Sequence, residues 1–229
     1  MAGTERLSLD KLSKQEFPLI KSLDREQQDM VAKLYKHQRV MVDSVAGSGK
    51  TTVTTQAMNA LLKKGHIERL YYVVFPVQEK SLGFLPGEVS DKIKEYAVPF
   101  MQALEGANIN TQYLNYEAMT DEFTNYDYKV APHTFMRGRT FSKVGIIIDE
   151  AQNATKDELK KVLTRIDDSC YVAITGHNGQ IDIAKDASGF AAYIHHFKQG
   201  VESGIYPDMG FASLTHNYRG KFSSFADQL

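Results

Sequence analysis

Two short runs carry the residues whose types and spacing fit a chemistry: AGSGKTT (Ala46–Thr52) and the adjacent carboxylates Asp149 and Glu150 in GIIIDEAQN. In the first run, small residues let successive backbone N–H groups wrap a phosphate where a helix begins. Ala46, Gly47, Ser48, Gly49 and Thr52 would contribute the cradle. Lys50 would reach the terminal phosphates with a mobile ammonium, and Thr51 would offer its hydroxyl to Mg²⁺. The strict pattern GxxxxGK[ST] asks for glycine where the chain has Ser44, so the match is partial. A chance GSGKT in a loop is the competing explanation, and a second phosphate motif would count against it.

GIIIDEAQN is that second motif. An apolar strand ending in paired carboxylates puts Asp149 at the strand's carboxyl edge, near the cation a phosphate loop would hold. Asp149 then reads as a metal partner alongside Thr51, and Glu150 as the general base for water. A pair that merely caps the next helix is the alternative, and it loses weight when both motifs occur together. Glu directly after Asp suits a hydrolase that activates water with a side chain. The guanine-reading pattern NKxD follows no late strand, and TKDE (Thr155–Glu158) has the wrong order and lies on a helix, so ATP is the expected nucleotide.

These residues need a scaffold, and the chain patterns one. RVMV and RLYYVVF are short strands, while KVGIIID and CYVAIT are continuous apolar runs of the kind found in central parallel strands. Helical periodicity alternates with them, which predicts a three-layer α/β domain with a mostly parallel sheet. LDREQQDMVAKLYKH starts at a cap, Asp24, and sets Met30, Val31, Leu34 and Tyr35 on one face. KTTVTTQAMNALLKKG forms a helix closed by Gly65, and SDKIKEYAVPFMQAL one interrupted at Pro99. TKDELKKVLTRI opens on a Thr155/Glu158 capping box and buries Leu159, Val162, Leu163 and Ile166. Further elements are a helix near SGFAAYIHHFKQ, a strand near FASLT and a terminal helix after Lys221.

The 229 residues, 42% hydrophobic and 24% charged, suit one domain spanning 1–229, with the N-terminal ~20 residues left open as an extension. A net charge of -1 gives no global field for a polyanion, so nucleic-acid binding would rest on a local patch. No run approaches the roughly 20 apolar residues of a membrane span, and the lone Cys170, read as core, forms no disulfide framework. The expected location is cytoplasmic, with no membrane partner. His195 and His196 have no second cluster at ligand spacing and read as packing or surface residues.

Around the two motifs, SLGFLPGEVSDKIKEYAVPFMQAL, VAPHTFMRGRTFSKVGIIIDEAQNATKDELKKVLTRI and TGHNGQIDI resemble the signature blocks of PhoH-like ATPases, over about Gln27 to Gly189. The resemblance implies a RecA-like P-loop ATPase related to superfamily one helicases, found in bacteria and phages and able to form rings. By the same likeness, LDREQ makes Gln27 an adenine reader and GHNGQ makes Gln180 a γ-phosphate sensor. LTHNYRG makes Tyr218 an adenine-stacking ring and Arg219 a γ-phosphate contact. His177 stands where the family usually has aspartate, which leaves the local hydrogen-bond network open.

In helicase-like domains the loops after the second and third strands face nucleic acid; here they are PVQEKSLGFLPG and PHTFMRGRT. The second offers Phe135 for stacking and Arg137 and Arg139 for phosphates of RNA or single-stranded DNA, although two such arginines would equally serve a subunit interface. The expected function is Mg²⁺-dependent ATP hydrolysis coupled to RNA or single-stranded DNA. With room for only one motor domain, translocation would take a homo-oligomer, such as a ring, or a partner. The competing class is a nucleotide-switched assembly module with slow turnover.

Overall fold

Among the described residues seven strands make up one sheet: β1 (Arg39–Ser44), β2 (Leu70–Val74), β3 (Leu114–Asn115), β4 (Tyr128–Pro132), β5 (Gly145–Ile148), β6 (Tyr171–Gly176) and β7 (Gly210–Leu214). The computed structural model describes residues 6–76, 89–115, 127–184 and 187–226. The strand order is β3-β4-β2-β5-β6-β1-β7 and every pair is parallel. Parallel neighbours require crossovers, and helices supply most of them. The six helices of the described residues are α1 (Arg25–His37), α2 (Lys50–Lys63), α3 (Val89–Glu105), α4 (Lys156–Leu163), α5 (Phe190–Glu202) and α6 (Lys221–Ala226).

Alternation along the strands sorts the core into two layers. Val40, Val42, Tyr72, Val74, Ile147 and Ala173 face one cluster, which α1, α2 and α3 complete with Val31, Leu34, Ala57, Leu61 and Phe100. Met41, Val73, Ile146, Ile148, Val172 and Ile174 face the other, completed from α4 and α5 by Leu159, Val162 and Phe190. The result is the expected three-layer α/β domain. Each fully buried aliphatic or aromatic side chain contributes about 1.5–3 kcal/mol relative to exposure. Cys170 is buried, as expected, and its thiol donates to the Phe141 carbonyl (3.2 Å). Among the described residues no helix is long and apolar enough to cross a membrane.

Local signals act where expected. Asp24 caps α1 in a full capping box with Gln27, and Thr155 does the same for α4 with Glu158. Leu159 and Val162 are buried, whereas Leu163 and Ile166 are only half-buried. One expectation needs correction. The helix around Pro99 is not interrupted: α3 runs through it from Val89 to Glu105. An interior proline costs about 3 kcal/mol, but Ile93, Ala97, Phe100 and Leu104 recur at helical spacing and are all buried, while Pro99 faces outward. In the N-terminal stretch, Leu7, Leu12, Phe17 and Leu23 pack into the α1–α3 cluster. Strand β4 departs from a purely apolar pattern at its second residue, Lys129, which is buried with its ammonium 5.8 Å from the centre of the Tyr71 ring.

Candidate functional site

The strand order puts β6 between β1 and β5, so the loop leaving β1 and the carboxylates leaving β5 share one edge of the sheet. From Val45 to Gly49 the chain turns sharply, with Gly47 at φ 71 and Gly49 at φ 77, where L side chains are strained. Gly47 is constrained twice: a Cβ there would stand 2.4 Å from Asn217 Oδ1 and 2.5 Å from Arg219 Cγ. Ser44 has no positive φ, so glycine is not required at that position. Instead its hydroxyl donates to the Gly176 carbonyl (3.2 Å) and ties the loop's entrance to β6.

Helix α2 begins at Lys50 with Gly49 as its N-cap and no side chain capping it. The first turn of a helix presents backbone N–H groups without intrahelical partners, and the helix dipole adds positive potential. Ser48 Oγ beside it is buried and has no hydrogen-bond partner among the described residues. An uncapped helix start, an orphaned buried hydroxyl and an ammonium in the same turn fit a phosphate group.

Opposite this turn, Asp149 accepts four hydrogen bonds from the described residues. Thr51 Oγ1 (2.5 Å) and the Tyr72 hydroxyl (2.9 Å) donate to Oδ2; Thr175 Oγ1 (2.6 Å) and the Glu150 N–H (2.9 Å) donate to Oδ1. Burial, reinforced by the charge of Asp149, holds the Tyr72 phenol well above its ordinary pKa and so keeps it a donor. Lys50 Nζ lies 2.7 Å from Glu150 Oε1. Burial pulls the Lys50 pKa down, but Asp149 and Glu150 outweigh it and the net direction is up, so the ammonium stays charged. Thr51 and Asp149 offer oxygen ligands only, which suits Mg²⁺, a cation that completes its shell with waters and phosphate oxygens. Among the described residues no group of three or more His, Cys, Asp or Glu could form an all-protein cage.

Glu150 itself is at φ 50, ψ 39, a left-handed conformation that costs a non-glycine residue about 1–3 kcal/mol. The turn swings its side chain toward Lys50 and starts the 3₁₀ turn Ala151–Asn153. Gln152, which sequence reasoning passed over, is buried there. Its Nε2 donates to Glu150 Oε2 (2.6 Å) and its Oε1 accepts the His177 N–H (3.0 Å). Asn153 pairs with Asp182 in both directions (2.8 and 2.9 Å). The loop that carries Gln180 is thereby fastened to the Glu150 turn, and Asn178 fastens it to Asp43 of β1 (3.2 and 2.9 Å). Gln180 is exposed on this loop, with its N–H on the His177 carbonyl (3.2 Å). At position 177 the backbone N–H makes the contact to Gln152, so this link does not depend on the side chain there.

Gln27 and Tyr218 arrive beside the phosphate loop from opposite ends of the chain. The Gln27 Nε2 donates to the Ser48 carbonyl (3.0 Å) while its Oε1 accepts the Asp24 N–H (3.2 Å). The Tyr218 N–H donates to the Gly47 carbonyl (2.9 Å), and its hydroxyl donates to the Asp24 carboxylate, a bond that pushes the phenol pKa up to about 12. Arg219 lies over Gly47. Asp24, legible only as a helix cap, therefore also anchors this corner.

The other candidates sit apart from the phosphate motifs. Phe135, Arg137 and Arg139 lie in and after the 3₁₀ turn His133–Met136 that follows β4. Phe135 is half-buried and packs against both apolar clusters, Arg137 is exposed, and Arg139 is half-buried. Gly138 between the arginines is at φ 76 with open space around it. Residues 77–87 of PVQEKSLGFLPG lie outside the described residues. His195 and His196 are exposed on α5.

Residues 19–207 match the model of a family described as PhoH-like protein. The chain is 32% identical over 180 residues to the PhoH-like protein of Bacillus subtilis (strain 168), covering 77% of this chain and 54% of that one. It is 29% identical over 209 residues to the Protein PhoH of Escherichia coli (strain K12), covering 90% and 57%. The chain thus spans about half the length of these curated relatives. A solved structure with a similar backbone is that of the Pif1 helicase from Candida albicans, at 16% identity and a TM-score of 0.42, covering 90% of this chain and 42% of that one.

Proposed function

Because the chain belongs to the PhoH-like protein family, we propose that it hydrolyses ATP with Mg²⁺ and couples turnover to RNA or single-stranded DNA. The observation that carries this reading is the convergence of two motifs 98 residues apart, in which Thr51 meets Asp149 at 2.5 Å and Lys50 meets Glu150 at 2.7 Å. The α2 N-terminus and Lys50 bind the phosphates, and Thr51 and Asp149 hold the metal. Mg²⁺, when bound, neutralises charge on the phosphate oxygens. Glu150 orients a water and takes its proton as the water oxygen bonds to the terminal phosphorus and the bond to the bridging oxygen breaks. Gln180 and Arg219 approach the terminal phosphate, and Gln27 and Tyr218 serve the adenine. The Lys50–Glu150 ion pair must open for this, since Lys50 exchanges a carboxylate for phosphate oxygens.

Phosphate release with and without a panel of single-stranded RNAs and DNAs, measured beside the mass in solution, tests the reading. Turnover that rises with nucleic acid supports it; absence of any nucleotide hydrolysis refutes it. The competing reading, a nucleotide-switched assembly module, draws on α6, where Phe222 and Phe225 are 88% and 77% exposed just beyond Arg219. Apolar surface of this kind suits a contact between copies. Nucleotide-dependent assembly with no stimulation by nucleic acid would favour it.

For the nucleic-acid surface, the half-buried Phe135 leaves Arg137 and Arg139 as the stronger part of the assignment. Single-strand binding loses about 0.7 units of log–log salt slope per phosphate contact removed. The double substitution Arg137→Ala, Arg139→Ala is therefore expected to weaken binding and flatten the slope by roughly 1.4, read from affinities across a salt series. Normal binding together with failed assembly would make the loop a subunit interface instead.

A further inference from the structure

Of the four donors on Asp149, three come from the phosphate motifs or the strand between them: Thr51, the Glu150 N–H and Thr175. The fourth, Tyr72, comes from β2 on the far side of β5. Its Cα is in register with Val130 of β4 and Ile147 of β5, and its ring lies flat on Phe100 of α3 (centroids 4.7 Å, interplanar angle 7°). Tyr72 is 2% exposed and Phe100 fully buried, so the ring has one available place. Phenylalanine would fill the same apolar slot without the cost of desolvating a hydroxyl, and a buried phenol needs a partner. Among the described residues this hydroxyl donates to Asp149 Oδ2 (2.9 Å), the oxygen that Thr51 also uses.

A carboxylate held by two donors on each oxygen cannot rotate about its Cβ–Cγ bond without breaking several bonds at once. Three of these donors belong to segments that a nucleotide would touch or adjoin. Tyr72, held by its stack, is the one anchored elsewhere in the core.

We propose that Tyr72 is a positioning residue of the Mg²⁺–nucleotide site: its hydroxyl, fixed by the stack on Phe100, sets the plane of the Asp149 carboxylate and, through it, the direction in which Thr51 presents its oxygen to the cation. This rests on the reading of Thr51 and Asp149 as the metal-holding pair. Partners that orient a metal's ligands typically change metal affinity by about 10–100-fold when removed.

The test uses the full chain and a fluorescent ADP analogue, titrated with and without Mg²⁺, in wild type, Tyr72→Phe and Tyr71→Phe. The last makes the same chemical change on the opposite face of the sheet, against Phe141. Tyr72→Phe is expected to keep the metal-free nucleotide affinity, while the Mg²⁺ concentration for half-maximal enhancement rises about 10-fold or more. Tyr71→Phe is expected to follow wild type, and both variants to unfold at nearly the wild-type temperature. An unchanged Mg²⁺ requirement in Tyr72→Phe overturns the proposal, as does an equal loss of metal-free affinity or a collapse of the fold, either of which makes the hydroxyl structural. A wild-type protein that binds the nucleotide with no Mg²⁺ dependence overturns the metal-site reading itself, and the proposal with it.

Discussion

Lys50→Ala is expected to reduce phosphate release below detection and to weaken ATP binding about 10- to 100-fold, the equivalent of losing a charge-assisted hydrogen bond of roughly 1.5–3 kcal/mol. Lys50 is the first residue of α2, and its ammonium is held by Glu150 (2.7 Å) with Asp149 adding to the favourable field. Arg219 lies nearby over Gly47, but without Lys50 the charge that develops on the phosphoryl oxygens would lose the ammonium of the first turn of α2. The fold should survive, because Glu150 is half exposed and can turn to water when its partner is gone. Phosphate release and equilibrium nucleotide binding, run on a variant with a wild-type unfolding transition, check the expectation. Turnover at the wild-type rate would remove Lys50, and with it the phosphate-loop assignment, from the site.

Glu150→Gln separates binding from chemistry. The amide is isosteric, and its oxygen can still accept from Gln152 Nε2, which lies 2.6 Å from the carboxylate in the native protein. Lys50, released from the carboxylate, becomes freer to meet phosphates, so ATP·Mg²⁺ affinity should be undiminished. What the amide cannot do is take a proton, and turnover should fall by roughly 100-fold or more, within the range for loss of a general base. A single-turnover assay beside a binding isotherm distinguishes the outcomes. Parallel loss of binding and turnover would instead assign Glu150 to the metal or to the fold.

Both predictions rest on residues that could be read from the chain, and the reason lies in how local their signals are. A phosphate loop is written within a few consecutive residues: an apolar strand, glycines at the two positions of positive φ, then a lysine that opens a helix. Gly47 and Gly49 take those conformations and Lys50 begins α2, because each requirement concerns a residue and its chain neighbours. Capping boxes at Asp24 and Thr155 are legible for the same reason. Pro99 shows where local rules yield, since the buried face of α3 outweighs the broken backbone bond. Tyr72, Thr175 and Gln152 could not be found this way. Tyr72 and Thr175 lie in strands that read as core, and their polar atoms find Asp149 only once β2 and β6 settle on either side of β5. Gln152 stands two residues from Glu150, yet its significance depends on the His177 N–H arriving from the end of β6. Hydrophobic periodicity specifies which face of a strand is buried but not which strand lies beside it; strand order is decided by the packing of the whole sheet, and with it which polar groups meet across the strands.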